Sequence, residues 1–232
     1  MDEKNLSARL TAAAAYIPKQ ARLADIGSDH AYLPTALMLE DQISYAVAGE
    51  VVEGPFEAAK KQVNKLKLND TIQVRLANGL DAILPEDQID CIAICGMGGT
   101  LISEILDKGF QKRQLTGKER LVLQPNVGEQ TLRKWLAAHE YTIVDEAIVK
   151  EDGKIYELII AEKQETVPHY TEKELKFGIL LSKEKGPIFK EKWQKELEKV
   201  EAILASLAQS QSNQEVKQAQ MMDEIALIKE ML

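Results

Sequence analysis

Residues 24–37 read ADIGSDHAYLPTAL, and the fold turns on how this stretch is read. The apolar run ARLADIG at 21–27 suits a buried strand. It ends on Gly27, passes through Ser28, Asp29 and His30, and enters LPTALMLED at 33–41. That second segment suits a helix with Pro34 in its first turn, where proline's fixed φ and missing N–H are tolerated. The stretch is a strand running through a polar turn into a helix.

The same alternation continues down the chain. SYAVAGEV (44–51) is a small apolar strand closing at Glu50. GPFEAAKKQVNKLKL (54–68) puts Phe56, Ala59, Val63 and Leu66 on one helical stripe with lysines opposite. TIQVRLANGL (71–80) and IDCIAICGMGG (89–99) are further strands, and TLISEILDKG (100–109) is a short amphipathic helix. ERLVLQPN (119–126) is a fifth strand before the helix EQTLRKWLAAHE (129–140). YTIVDEAIVKEDGKIYELIIAEK (141–163) reads as two strands joined at Asp152-Gly153, a strong hairpin signal. Strands alternating with helices predict a parallel sheet covered on both faces, here with an antiparallel hairpin at its edge. The expectation is a doubly wound α/β domain over residues 1–165.

Beyond Pro168 the β-branched runs stop and Lys and Glu dominate. Trp193, Leu197, Val200, Leu204 and Leu207 step by four and three, and Met221, Ile225, Ile228 and Leu232 repeat the rhythm after QSQSN (209–213). This spacing predicts, over residues 166–232, a helical extension of two antiparallel, coiled-coil-like helices reversing through the Ser/Gln/Asn stretch. KEKGPIF (183–189) predicts a turn before Trp193.

Composition narrows the function classes. At 45 % hydrophobic residues in 232, the chain has material for a proper core. It carries no apolar run of membrane-spanning length, and MDEKNLSARL is too charged for a secretory signal. Cys91 and Cys95 lie on the same side of one strand and lack metal-ligand spacing, while His30, His139 and His169 are scattered. The expectation is a reduced, cytoplasmic protein with neither a metal nor a membrane partner. It is expected to be a monomer, with self-association through the C-terminal helices left open.

In a doubly wound sheet, ligands bind beyond the carboxyl ends of the strands. The first strand ends in Gly27, Ser28, Asp29 and His30, with Tyr32 just beyond, and the second ends in Glu50. The third ends in Asn78, Gly79, Leu80 and Asp81, and the fourth in Gly96, Met97, Gly98 and Gly99. A nicotinamide dinucleotide calls for G-x-G-x-x-G after the first strand, to bring backbone close to a pyrophosphate. Only Gly27 is present, and an acid in the turn repels phosphate but suits a cation. S-adenosylmethionine is such a ligand, with an ammonium, a sulfonium, a ribose and an adenine but no phosphate. Asp25 and Asp29 are candidates for the amino end, Glu50 for both ribose hydroxyls and Asn78 for the adenine edge. Val51 and Leu80 are candidates for its two faces. Each has a plainer alternative, such as a helix cap for Ser28 or Asp29 and a simple turn for Asn78-Gly79.

ADIGSDHAYLP (24–34), AGEVVEGPFEAAKKQV (48–63), NGLD (78–81), CGMGGTLISEIL (95–106), LTGKERLVLQPN (115–126) and KEDGKIYELIIAE (150–162) together resemble the TrmK family. These are bacterial tRNA methyltransferases acting on adenine N1 at tRNA position 22. The resemblance covers essentially the whole chain and implies a Rossmann-type (class I) methyltransferase domain with a helical C-terminal extension. It implies S-adenosylmethionine as donor, tRNA as acceptor, and a cofactor shell of Asp25, Gly27, Asp29, Glu50, Val51, Asn78, Gly79 and Gly96. Asn78 departs from the pattern, which has an acid there at least as often. The resemblance puts His30 and Tyr32 beside the donor methyl group. Asp29 is the first candidate to stabilise the cationic product or accept the N6 proton, and Tyr32 is a candidate to stack on the target base. Asn126, in QPN, is a candidate for the adenine edge by analogy with the Asn-Pro-Pro motif of amino-methylating enzymes.

The net charge of −8 weighs against a nucleic-acid partner. Yet Lys173, Lys176, Lys183, Lys185, Lys190, Lys192 and Lys195 outnumber the glutamates of their stretch, and DKGFQKRQLTGKER (107–120) is also basic. Phosphate contacts need local basic faces rather than a basic total. The sequence leaves open two other readings, a methyltransferase for a small molecule and a non-enzymatic RNA-binding protein on the same fold.

Overall fold

The computed structural model describes residues 5–166, 168–208 and 215–232, and the chain divides into two compact units, Met1–Ile179 and Leu180–Leu232.

The first unit is built on seven strands: β1 (Ala21–Ile26), β2 (Ile43–Glu50), β3 (Ile72–Leu76), β4 (Cys91–Met97), β5 (Arg120–Pro125), β6 (Tyr141–Glu151) and β7 (Lys154–Lys163). Their order is β3-β2-β1-β4-β5-β7-β6. The first five run parallel, and β7 joins β5 antiparallel with β6 outside it, so the Asp152-Gly153 hairpin forms the sheet edge as expected. Strand order reverses between β1 and β4, which makes their carboxyl ends the topological switch point.

The helices of this unit are α1 (Ala8–Ala15), α2 (Tyr32–Leu39), α3 (Glu53–Lys65), α4 (Gly99–Gln111), α5 (Glu129–Ala138) and α6 (Glu172–Phe177). Successive strand residues face opposite sides, and the core divides accordingly. Leu23, Ala46, Cys91, Ala93 and Val122 pack with Ala13 of α1, Leu33 and Leu37 of α2, and Ala59 and Val63 of α3. Ala24, Val47, Ile92, Ile94 and Leu121 pack with Ile102 and Leu106 of α4 and Leu132 and Leu136 of α5. Arg133 of α5 is fully buried and ion-paired to Glu146 at 2.7 Å and Glu157 at 2.6 Å, pinning that helix to the antiparallel edge. Helix α1 is not foreseen by the sequence reading. Ser7 caps it by accepting from the Leu10 N–H.

In the second unit, the turn expected at KEKGPIF separates α7 (Leu181–Glu184) from α8 (Pro187–Ala208), with Lys185 left-handed at φ 48° and proline at the first helical position. Helix α9 (Glu215–Met231) is joined to α8 by a Glu201–Lys229 ion pair of 2.7 Å. The heptad residues Trp193, Leu197, Val200 and Ile228 are buried. The reversal expected at 209–213 lies outside the described residues.

Candidate active site

Asp25 lies one residue from the end of β1 and is 3 % exposed. By parity it shares the face of Leu23, the side covered by α1 and α2. Burial pushes its carboxyl up to about 7, against the pull of the Ser28 hydroxyl, which donates to Asp25 Oδ2 at 2.6 Å, and the negative charges of Glu50 and Asp29 push the same way as burial. A buried carboxylate in this state gains from a cation.

The turn that follows is strained. Gly27 (φ 73°) is followed shortly by Asp29, His30 and Ala31, all left-handed at φ 39°, 63° and 57°. Such conformations cost of order 1 kcal/mol or more for each residue bearing a Cβ and persist only where the surroundings impose them. Here the Gly27 and Ser28 N–H groups donate to Gly49 O at 2.9 and 3.3 Å, and the Asp29 N–H donates to Glu50 Oε1 at 2.7 Å. The result turns Asp29 and His30 outward, with side chains 62 % and 45 % exposed, and stacks the His30 ring on Tyr32 at 5.3 Å between centroids. At Gly27 a Cβ would also stand 2.2 Å from Met97 Cε.

Glu50 is buried at the end of β2, and burial raises its carboxyl above the usual range despite the opposing Asp29 N–H. Val51 beside it is 64 % exposed. Asn78 is exposed at the start of a 3-10 turn, Gly79–Ala82. Leu80 corrects an expectation. The turn sends its side chain inward, 2 % exposed and packed where a Cβ on Gly109 would strike it, so it is core and offers no face to adenine.

The loops after β4 and β5 are stitched together. Asn126 Nδ2 donates to Gly96 O at 2.7 Å, and the Asn126 N–H to Met97 O at 2.7 Å. The Gly96 N–H donates to Gln124 Oε1 at 3.1 Å, Gln124 Nε2 donates to Asn126 Oδ1 at 3.2 Å, and the Gly99 N–H donates to Val127 O at 2.7 Å. Gln124-Pro125-Asn126 is therefore a bracket on the glycine loop. The glycines differ in role. Gly96 is left-handed (φ 80°), Gly98 has nothing nearer to an added Cβ than 4.0 Å, and Gly99 lies so close to Gly128 that a Cβ would be 2.1 Å from its carbonyl oxygen.

A cavity of about 260 Å³ opens at the switch point, with Asp25, Ser28 and Asp29 on one side and Gly96 and Met97 on another. Arg9 of α1 also lines it, a residue the sequence reading missed because nothing in an eight-residue, alanine-rich helix links it to the strand ends. A larger cavity of about 730 Å³, between residues 81–92 and 112–119, takes Asp81 from the strand-end set and Lys112, Arg113 and Lys118 from the basic stretch, but none of the residues read as holding the cofactor. Among the described residues no group of three or more His, Cys, Asp or Glu is placed to hold a metal, and no helix is long and apolar enough to cross a membrane. The donor set fits S-adenosylmethionine: a buried acid suited to an ammonium in a cavity that a guanidinium also lines, and a buried acid closing the neighbouring strand β2 suited to ribose hydroxyls.

A sheet switching at β1 and β4, with acids rather than phosphate-binding glycines at its strand ends, defines a Rossmann-type S-adenosylmethionine-dependent methyltransferase. The chain belongs to the TrmK family, tRNA (adenine(22)-N(1))-methyltransferase, whose family model matches residues 23–230. It is 43 % identical over 238 residues to the tRNA (adenine(22)-N(1))-methyltransferase of Bacillus subtilis, covering 100 % of this chain and 99 % of the relative. The crystal structure of the B. subtilis m1A22 tRNA methyltransferase TrmK superposes with a TM-score of 0.90 at 42 % identity, over 98 % of this chain and 99 % of that one. A Streptococcus pneumoniae relative in complex with S-adenosyl-L-methionine gives 0.89 at 44 %, over 98 % and 100 %. M. capricolum TrmK in complex with S-adenosyl-homocysteine gives 0.85 at 31 %, over 97 % and 96 %.

Proposed function

We propose that this protein transfers a methyl group from S-adenosylmethionine to N1 of adenine 22 in tRNA, in the cytoplasm. The observation that carries the reading is the 43 % identity to the B. subtilis enzyme along the full chain, with buried acids, Asp25 and Glu50, at the ends of β1 and β2.

When bound, S-adenosylmethionine supplies an electrophilic methyl carbon on a positively charged sulfur. Asp25 takes its ammonium, with Ser28 steadying the carboxylate, and Glu50 takes the ribose hydroxyls through the oxygen not engaged by Asp29. Asn78 reads the adenine edge and exposed Val51 covers one face of the ring. Gly27, Gly96 and Met97 line the cavity, and Gly79 and Gly98 give the backbone at the neighbouring strand ends its close approach to the cofactor. The target adenine enters against the stacked His30 and Tyr32 rings, which hold it so that its N1 lone pair lies in line with the methyl group. The N1–carbon bond forms as the sulfur–carbon bond breaks, the electron pair stays on sulfur, and the ring gains a positive charge. Asp29, largely exposed beside those rings, stabilises that charge and accepts the N6 proton. Asn126 holds the glycine loop that forms the floor of this approach.

The test is methyl transfer to two transcripts of one tRNA, with adenine or guanine at position 22. Label in the adenine transcript alone is expected. Equal label in both removes position 22, and label in neither, with cofactor bound, removes tRNA as the acceptor.

A further inference from the structure

Adenine N1 lies on the edge through which the base pairs, so in a base pair its lone pair is engaged by the partner inside the stack. A paired adenine that is to be methylated there must leave the stack, and the gap behind it is costly unless something fills it. We propose that Val127, in the loop after β5, fills that gap: an apolar wedge that holds the RNA open while adenine 22 lies in the active site. This rests on the methyltransferase reading.

Val127 is 68 % exposed, the most exposed large apolar side chain of the first unit among the described residues. A single exposed valine is ordinary on a protein surface. What sets this one apart is how it is held and where. Before it, the Asn126 N–H donates to Met97 O at 2.7 Å. Its own carbonyl accepts from the Gly99 N–H at 2.7 Å. After it, Gly128 is left-handed at φ 80°, and its carbonyl packs directly on Gly99. Three successive residues are thus fixed to the glycine loop, and the side chain cannot withdraw without breaking those contacts. It lies over that loop, for its Cγ2 is the nearest atom, at 4.0 Å, to where a Gly98 Cβ would stand. Insertion between bases calls for an apolar tip on a rigid base. A β-branched side chain also has little rotamer freedom to lose on being buried.

The strand order gives the wedge its place. Beyond β1 stands the His30–Tyr32 stack, beyond β4 the glycine loop, and beyond β5 Val127. Neighbouring strands lie about 4.8 Å apart, so β1 and β5 are about 10 Å apart across β4. Met97, which lines the cofactor cavity, is in register with Pro125, two residues before Val127. The glycine loop therefore separates a ring surface suited to the extruded base from an apolar tip suited to the place it vacates.

The test uses two transcripts of one tRNA, one with a uridine opposite adenine 22 and one with that uridine replaced so that no pair forms. Val127→Ala shortens the tip at an exposed position and is expected to melt within about a degree of wild type. Its kcat/KM is expected to fall about 10-fold or more on the paired transcript, and less than about threefold on the unpaired one, whose base has no pair to leave. Val127→Met restores an apolar tip and is expected to recover most of the loss. A second readout does not depend on turnover. 2-Aminopurine at position 22 brightens as it leaves the stack, and with S-adenosylhomocysteine bound the rise is expected to be smaller with Val127→Ala than with wild type. Equal loss on the two transcripts, no loss on either, or an undiminished 2-aminopurine signal overturns the wedge. Each of these leaves the adenine-22 reading standing so long as wild type methylates the transcripts. Wild type that methylates neither defeats that reading and the wedge with it.

Discussion

The Asp29 backbone N–H donates to Glu50 Oε1 at 2.7 Å. The acid proposed to take the ribose thus also restrains the first of three consecutive left-handed residues, which turns the Asp29 and His30 side chains outward. One side chain serves cofactor binding and loop conformation together, and substitutions separate the two. Glu50→Gln keeps an acceptor for the Asp29 N–H but loses the charge. Its cofactor affinity is expected to fall about 10-fold or more, with a melting temperature close to wild type. Glu50→Ala removes both, and is expected to lose affinity further and to melt several degrees lower, because the strained turn loses its restraint. Normal cofactor binding by Glu50→Gln removes Glu50 from ribose recognition.

Asp25 links cofactor binding to pH. Its carboxyl sits near 7 in the ligand-free protein, so below that pH it is mostly protonated and cannot pair with an ammonium. Affinity is expected to rise between about pH 5.5 and 7, with proton release detectable as a buffer-dependent heat in calorimetry. The sign for stability is opposite. A folded-state value raised above the unfolded 3.8 contributes stability that is complete below 3.8 and is lost as pH climbs through about 7. Asp25→Asn is therefore expected to bind cofactor poorly at every pH while raising the melting temperature of the ligand-free protein at about pH 8. A variant that keeps the wild-type pH profile of binding assigns that profile to another group.

Neighbouring glycines give a steric contrast. Alanine at Gly98 meets nothing closer than 4.0 Å and adopts its φ of −73° without strain. Alanine at Gly99 would place its Cβ 2.1 Å from the Gly128 carbonyl oxygen, which is backbone and cannot swing away. Gly98→Ala is expected to melt within about a degree of wild type, and Gly99→Ala to lose about 1–3 kcal/mol as the loops after β4 and β5 are forced apart. Thermal denaturation of the pair checks this. Equal melting would mean that the two loops separate without cost.

Asn126 has both polar atoms of its side chain engaged, Nδ2 by Gly96 O and Oδ1 by Gln124. Asn126→Ala unties the bracket without touching Asp25 or Glu50, so turnover on tRNA is expected to fall about 10-fold or more while cofactor affinity changes less than about threefold. Unchanged turnover would show that the glycine loop keeps its place without the bracket.

The sequence made the strand ends legible because apolar strand bodies stop abruptly there, at Gly27, Glu50, Asn78 and Gly96, and topology brings such ends together whatever lies between. What it hid depends on tertiary placement. Arg9 reaches the site only because α1 packs on the Asp25 face and Glu151 anchors it, a meeting of residues far apart in the chain. Leu80, apolar at a strand end, reads like a ring-stacking face, but a tight 3-10 turn drives it into the core. A polar strand-end residue such as Asn126 looks the same in sequence whether it serves a ligand or a neighbouring loop. Gly99 reads like ligand-facing backbone, whereas its glycine is required by Gly128, 29 positions on.

The lysines of the C-terminal unit test how an acidic protein holds tRNA. Lys183, Lys190 and Lys195 are exposed, in a stretch where lysine outnumbers glutamate while the whole chain carries −8. If the helical extension grips the tRNA body, removing one phosphate-binding charge flattens the dependence of log affinity on log salt by about 0.7–0.9. Replacing all three with alanine is expected to weaken tRNA binding several-fold at low salt, to make the slope shallower by about two, and to leave cofactor affinity unchanged. Residues that bind phosphate without reading bases affect all sequences alike, so the adenine and guanine transcripts are expected to lose affinity equally. A slope equal to wild type would move the phosphate-binding role to the other basic stretch, 107–120, where Lys108, Lys112, Arg113 and Lys118 are the next residues to substitute.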